Sequence, residues 1–344
     1  MIPGTGSRAR TTRDVTMPGR RIAILYRPDP LHLYLDVLSG HLEVIQGTGM
    51  AANIVRASDE RELLASASDC DVLLTWGMYR PAAFCEAASK LKWIHALSAG
   101  VDGLVAVPEI AGRRIRVTAT KGIHGLPIAE HALGMILSFA RGFHVLGDQQ
   151  RRKEWKKYLQ ADEIQGKTVG ILGLGNIGRI VAQKCKLMGM RVVALRLQSA
   201  GDPSVDRLYP AAEILSFMAE SDYVVITLPL TPDTHHLVGE KQLSAMKQSA
   251  YLLNVARGKI VDEPALVDAL KEGRIAGAGL DVFESEPLPP TSELWGLPNV
   301  IVSPHMSALS PYYMDRAIAV FCENLARFVR GDRMLYEFNW DTGY

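Results

Sequence analysis

Cysteine is scarce in this chain, and so is charge of either sign in excess. Four cysteines in 344 residues, Cys70, Cys85, Cys185 and Cys322, form no CxxC pair, which argues against a disulfide framework or a zinc ribbon and fits a reducing compartment. A formal charge of +1 gives no electrostatic ground for nucleic acid or a membrane surface as partner. No apolar run comes near the roughly 20 residues that a membrane helix needs, and the best candidate, 132–140, is flanked by Glu130, His131 and Arg141. The pairs His235-His236 and Glu130-His131 lack the further ligands of an open metal site, so no metal is expected. These absences leave a soluble, cytoplasmic protein that handles a small molecule. The length allows two domains, each with its own core.

The first twenty residues are rich in arginine, serine and threonine and lack apolar periodicity. They read as a disordered extension without the amphipathic pattern of a transit peptide, and Met17 is an alternative start.

The chain is organised around 168–178. A short β-branched run, 168–172, has the character of a buried parallel strand and passes into GLGNIG at 173–178 and then a helical pattern at 177–188. Gly173 permits a tight turn, Gly175 a close approach of backbone to a pyrophosphate, and Gly178 close packing of the helix on the strand. Amides at the helix start, around Asn176 and Ile177, would hold phosphates. With the next strand at 191–195 this is a βαβ unit that binds a dinucleotide.

Before it, strand-like runs at 21–26, 44–46, 71–75, 93–96 and 117–119 alternate with helical patterns at 31–39, 60–67 and 81–89. A long helix over 128–143 follows, with Gly125-Leu126-Pro127 as a break. The charged stretch 148–160, with Trp155, is a partner-contacting arm or a solvated helix. After the βαβ unit, strands at 222–227, 249–254, 277–281 and 300–303 alternate with helices at 211–218, 239–246 and 264–272. The helix at 311–330 leads to a polar tail. The expectation is an α/β protein of two Rossmann-like or flavodoxin-like domains, with doubly wound parallel sheets and a cleft between them. A discontinuous substrate domain takes 21–118 and 308–344, and a dinucleotide domain takes 119–307.

Ligands in such sheets lie beyond the carboxyl ends of the strands. Three motifs sit there: NVARG at 254–258, LDVFESEP at 280–287 and SPH at 303–305. Redox chemistry at an alcohol carbon needs a hydride carrier and a proton donor or acceptor for the oxygen. His305 suits the proton role, Glu286 can orient and support its ring, and Arg257 can grip a carboxylate and polarise a neighbouring carbonyl. Singly, each reads more readily as a surface ion-pair partner, loop residue or helix cap. Jointly, on one sheet rim, they read as a site. Ser98, Ala99, Gly100 and Val101, after the strand at 93–96, have the composition of an anion-binding turn, or of a plain strand-to-helix turn. Trp76, with Gly77, Met78 and Tyr79, and also Met306, either shape a substrate pocket or pack in the core.

Seven motifs in order, LSAGVDG, KGIHGLPIAEHALGMIL, GLGNIG, LPLTPDTHHLV, NVARG, GLDVFESEP and SPH, make the chain from about Arg21 onward resemble the D-isomer-specific 2-hydroxyacid dehydrogenases. The resemblance implies Arg257 as substrate-binding and catalytic, Glu286 as the partner of His305, and His305 as general acid/base. It implies that amides at Ala99, Gly100 and Val101 hold the substrate carboxylate and that Asp281 meets the nicotinamide carboxamide. It further implies that Leu228, Pro229, Thr234, Val255 and Ala256 line the cofactor and that an arm over 128–159 forms a homodimer. The activity implied is reduction of a glyoxylate- or hydroxypyruvate-like 2-oxo acid. Phosphoglycerate oxidation and a dinucleotide-sensing corepressor-like scaffold are the alternatives.

The chain departs from an NAD-preferring pattern at the end of the strand at 191–195. Where Asp or Glu would accept the ribose hydroxyls, Arg196 stands, with Gln198 and Ser199 just beyond. A cation there favours a 2′-phosphate, which predicts NADP(H) over NAD(H). If Arg196 only stacks on adenine, both are usable.

Overall fold

The computed structural model describes residues 22–26, 39–48, 51–57, 59–158, 160–195 and 202–341. They fall into two compact units, one made of the residues up to Thr120 and again from Met314, the other of Lys121–Tyr313. The chain returns to the first unit later than the expected point near Ser307.

In the first unit five parallel strands are described: β1 (Ile22–Tyr26), β2 (Ala51–Arg56), β3 (Val72–Thr75), β4 (Trp93–Ala96) and β5 (Arg116–Ala119), in the order β2-β1-β3-β4-β5. Between them run α1 (Ser39–Gly47), α2 (Glu60–Ala65), α3 (Ala82–Ala87), α4 (Asp102–Val105) and α5 (Pro108–Gly112). The order is that of a flavodoxin-like sheet. Every residue of β3 and β4 is buried, as a strand covered by helices on both faces requires.

Two expectations fail in this unit. The run 44–46 is the end of helix α1, in which Ile45 is buried and Val44 exposed. A run of three residues, only two of them apolar, carries no period, and the second strand lies further on, at Ala51–Arg56. Most of the helix expected over 31–39 lies outside the described residues. The tail is not merely polar either. After α12 (Tyr313–Arg330) it runs beside β5, with Ala119 N–H donating to Tyr336 O at 3.1 Å and Phe338 N–H to Val117 O at 2.8 Å. Phe338 and Trp340 pack on the core of this unit, and Arg116 grips Glu337 with two bonds of 2.6 and 2.9 Å.

The second unit opens with α6 (Gly125–Arg141) and α7 (Phe143–Arg151). The helix expected over 128–143 is α6, which starts three residues earlier, so Gly125-Leu126-Pro127 form its first turn instead of a break, and α7 is a separate helix beyond it. Gly142, in the left-handed region at φ +70°, ends α6 with its N–H on Phe139 O and Ser138 O. Then follow β6 (Thr168–Leu172), α8 (Asn176–Leu187), β7 (Arg191–Leu195), β8 (Arg207–Tyr209), α9 (Ile214–Glu220), β9 (Tyr223–Ile226), α10 (Glu240–Ala245), β10 (Tyr251–Asn254), α11 (Glu263–Lys271), β11 (Gly277–Leu280) and β12 (Val300–Val302). The seven described strands are parallel, in the order β12-β11-β10-β9-β6-β7-β8. Alternate residues feed two cores: Leu172, Val224, Ile226 and Leu252 one, Ile171, Val225 and Leu253 the other. Among the described residues no helix is long and apolar enough to cross a membrane.

Candidate active site

The order of the second sheet decides which side chains meet. β10, β11 and β12 are neighbours, so the loops beyond their carboxyl ends bring Arg257, Glu286 and His305 to one stretch of rim. His305 Nδ1 lies 2.7 Å from Glu286 Oε2, and Glu286 Oε1 accepts the Phe283 N–H at 3.0 Å. Burial pushes the Glu286 carboxyl up, but the hydrogen bond and charge of His305, the Phe283 amide and the charge of Arg257 outweigh it and hold the group below the ordinary carboxylate value. Glu286 therefore stays ionised beside the imidazole at neutral pH.

Arg257 owes its placement to two residues that the sequence did not single out. Asn254, at the end of β10, is buried and ties the loop from inside: its Nδ2 donates to Arg257 O at 2.9 Å and its Oδ1 accepts the Ala256 N–H at 3.1 Å. Arg257 itself donates from Nη1 to Ala256 O at 2.7 Å. Gly258 lets the two loops touch, since a Cβ there would lie 1.9 Å from the carbonyl carbon of Phe283. Their signal in the sequence was the motif NVARG as a whole.

The turn at 173–178 sits beyond β6, on the same edge of the sheet. Gly173 has φ +109° and Thr227 Oγ1 donates to its carbonyl at 2.5 Å. A Cβ on Gly178 would lie 2.2 Å from Gly173 O, so the start of α8 presses on the turn, whereas a Cβ on Gly175 would meet nothing within 4 Å. Open space above Gly175, at the N-terminus of a twelve-residue helix, fits a pyrophosphate.

The family model described as "D-isomer specific 2-hydroxyacid dehydrogenase, NAD binding domain" matches residues 133–307. A glyoxylate reductase of Korarchaeum cryptofilum is 36% identical over 280 residues, 79% of this chain and 84% of its own. The chain belongs to the D-isomer-specific 2-hydroxyacid dehydrogenases. A glyoxylate/hydroxypyruvate reductase B of Yersinia enterocolitica is 32% identical, over 90% of this chain and 94% of its own. A D-isomer specific 2-hydroxyacid dehydrogenase of Xanthobacter autotrophicus, solved in complex with NADPH and MES, has a TM-score of 0.80 at 29% identity, covering 94% of this chain and 100% of that one. The protein is thus an NAD(P)-dependent dehydrogenase that acts on the CH–OH group of a 2-hydroxy acid.

In this dehydrogenase several expected cofactor residues have structural partners of their own. Thr234 Oγ1 closes the loop after β9, donating to Pro229 O at 2.7 Å and accepting the Thr231 N–H at 2.7 Å. Leu228 packs against the core at the start of that loop, and Val255 and Ala256 are buried. The Asp281 carboxylate is wholly buried and takes three donors: Ser303 Oγ at 2.6 Å, Met306 N–H at 2.9 Å and Ser307 N–H at 2.9 Å. Arg196 and Ser199 lie outside the described residues, as does Gln198.

In the first unit the turn after β4 is locked to the loop after β3. The Gly77 N–H donates to Ser98 Oγ at 2.9 Å, Ser98 Oγ donates to Gly100 O at 2.8 Å, and Gly77 O accepts the N–H groups of Gly103 and Leu104 at 2.9 and 3.1 Å. Among the described residues no hydrogen bond takes up the amides of Ala99, Gly100 and Val101, as an anion-binding turn requires. Trp76 is buried while Met78 is exposed, and Met306, in the second unit, is exposed too. His236 Nε2 meets Glu284 Oε1 at 2.8 Å, and among the described residues no three His, Cys, Asp or Glu gather as metal ligands would.

Proposed function

We propose that this dehydrogenase reduces a small 2-oxo acid of the glyoxylate or hydroxypyruvate kind to the D-2-hydroxy acid, with His305 as general acid, Glu286 orienting it and Arg257 binding the carboxylate and polarising the carbonyl. The contact of 2.7 Å between His305 Nδ1 and Glu286 Oε2 carries this reading. With Nδ1–H directed at the carboxylate, Nε2 is the nitrogen that presents a proton to the substrate oxygen. Glu286, ionised beside the ring, favours the imidazolium that gives this proton to the incipient alkoxide and leaves as neutral imidazole. Ala99, Gly100 and Val101, with Ser98 bracing the turn, would receive the substrate carboxylate, and Trp76 would shape the side-chain pocket.

The unit Lys121–Tyr313 is read as the dinucleotide domain, and the other unit as the substrate domain. Gly173, Gly175, Asn176, Ile177 and Gly178 would hold the pyrophosphate, with Leu228, Pro229, Thr234, Val255 and Ala256 along the rest of the cofactor. A bound nicotinamide dinucleotide supplies the hydride. Asp281 would reach the carboxamide only through Oδ2, which takes a single donor among the described bonds. Arg196, with Ser199 beside it, favours NADP(H), a choice supported by the NADPH in the Xanthobacter relative. The arm over 128–159 is read as a homodimer contact, supported by the exposure of Phe143 and Trp155.

The test is turnover of glyoxylate, hydroxypyruvate and phenylpyruvate with NADPH and with NADH, and of 3-phosphoglycerate in the oxidative direction. A 2-oxo acid should be reduced faster with NADPH, and His305→Ala should lower kcat by about a thousandfold while dinucleotide affinity holds. Undiminished kcat in that variant would falsify the assignment, NADH preference would remove the role of Arg196, and turnover of 3-phosphoglycerate alone would replace the substrate class.

A further inference from the structure

Behind the catalytic rim lies a chain of side chains that the proton transfer does not use. Ser303, just beyond β12, donates from Oγ to Asp281 Oδ1 at 2.6 Å. That bond commits the hydroxyl proton, so the serine oxygen is the acceptor towards His131 Nε2, 2.9 Å away on α6. The sequence His131 to Ser303 to Asp281 has the residue types of a hydrolytic triad in the wrong order. The hydroxyl proton points at the carboxylate instead of at an imidazole, and His131 Nε2 stands 3.8 Å from Asp281 Oδ1. Ser303 is therefore no activated nucleophile.

What the chain does is set by where Asp281 points. A carboxylate with no exposure to solvent must have its lone pairs taken up by donors. Apart from Ser303, its donors are the N–H groups of Met306 and Ser307, while the Asp281 carbonyl accepts the N–H of His305 at 2.8 Å. One residue thus grips three successive amides of the turn that carries the general acid. His305 sits in the left-handed region at φ +50°, a conformation that a non-glycine residue keeps only where surrounding bonds impose it.

We propose that His131 is a positioning residue for His305: by donating Nε2–H to Ser303 it fixes the hydroxyl, the hydroxyl fixes the Asp281 carboxylate, and the carboxylate holds the turn at 305–307 that sets the imidazole against Glu286. The role needs an N–H donor at the Nε2 position, which the neutral and the protonated ring both supply. Its kinetic arm rests on the function proposed above for His305; its structural arm does not.

The experiment compares His131→Ala, His131→Gln and Ser303→Ala in the full chain. The glutamine amide places an N–H where Nε2 stands. His131→Ala should lower kcat for glyoxylate about ten- to thirtyfold while KM for the dinucleotide stays within about twofold, and His131→Gln should recover to within about threefold of the parent. His131→Ala combined with Ser303→Ala should be no worse than the poorer single variant, because both cut one chain. Amide hydrogen exchange of the peptide spanning 303–310 should quicken about tenfold in His131→Ala and Ser303→Ala and remain at the parent rate in His131→Gln. Unchanged kcat and exchange in His131→Ala would overturn the proposal. So would equal losses in the alanine and glutamine variants, which would make His131 a packing residue. If the parent turns over no 2-oxo acid, the functional reading fails and the exchange rates alone decide this one. If His131→Ala does not fold, Ser303→Ala and His131→Gln decide it by the same two readouts.

Discussion

Gly258 is the residue whose side chain would cost most at the rim. A methyl there would enter the backbone of the 283–286 loop, 1.9 Å from Phe283 C and 2.5 Å from Glu284 N, and a backbone atom cannot swing aside as a side chain can. Gly258→Ala should therefore separate the loop of Arg257 from that of Glu286. The expected result is a loss of about 3 kcal/mol in unfolding free energy and a fall in kcat out of proportion to it, read by urea titration beside steady-state kinetics. An unperturbed kcat would mean that the two loops act independently. At this scale the sequence is legible where a motif carries its own chemistry, as with Arg257, Glu286 and His305. It is silent where a residue works through a distant partner. Nothing local to Ser303 or His131 says that the two meet across 172 positions.

At the scale of elements, parallel strands buried on both faces announce themselves, since β3, β4, β6 and β9 are short, largely apolar runs in which every residue is buried. Elements at the margins do not. β8 is three residues with one exposed arginine, and the run inside α1 is too short to carry a period. The stretch beside β5 was equally hidden, because an edge can be covered by a segment with no strand pattern of its own. β5 ends its sheet, and an uncovered edge is a template for association. Trp340 Nε1 donates to Ile115 O at 3.2 Å, and its ring meets Phe338 edge-on at 4.9 Å. Trp340→Ala should cost about 2 to 3 kcal/mol, below the range for a fully buried tryptophan because this one is half-buried. It should also raise light scattering on mild heating. Urea unfolding and scattering at matched concentration check both, and an unchanged midpoint would reduce the tail to a passive covering.

Across the whole molecule, each unit buries a histidine in its neutral form. His95, in β4, is held down at about 3 by burial, and His124 at about 4 by burial and by the charge of Arg257, against an ordinary 6.5. The partners of His95 are directional. Trp93 Nε1 donates to Thr118 Oγ1 at 2.8 Å, Thr118 Oγ1 lies 2.7 Å from His95 Nδ1, and His95 Nε2 lies 3.1 Å from Thr120 Oγ1, which donates to Ala96 O at 2.9 Å. The neutral ring with its proton on Nε2 satisfies every bond. Below pH 6.5 the unfolded chain binds a proton at each position and the folded chain does not. Stability therefore falls as pH drops from that point towards the depressed values. Each histidine contributes up to about 1.4 kcal/mol per pH unit. Urea midpoints should decline for both units between about pH 6.5 and about pH 4; a flat profile over that span would mean that the rings are protonated in place.

The core of the first unit joins residues far apart in the chain: Trp93 stacks on Phe321 with ring centroids 5.3 Å apart and meets Phe328 at 5.2 Å. Those phenylalanines leave the ribosome only after the whole of the second unit. During synthesis the second unit can close first. The five described strands of the first, all made by Ala119, must wait with the β5 edge open until the last helix and the tail after it arrive to cover them. The unit begun first is therefore the one completed last.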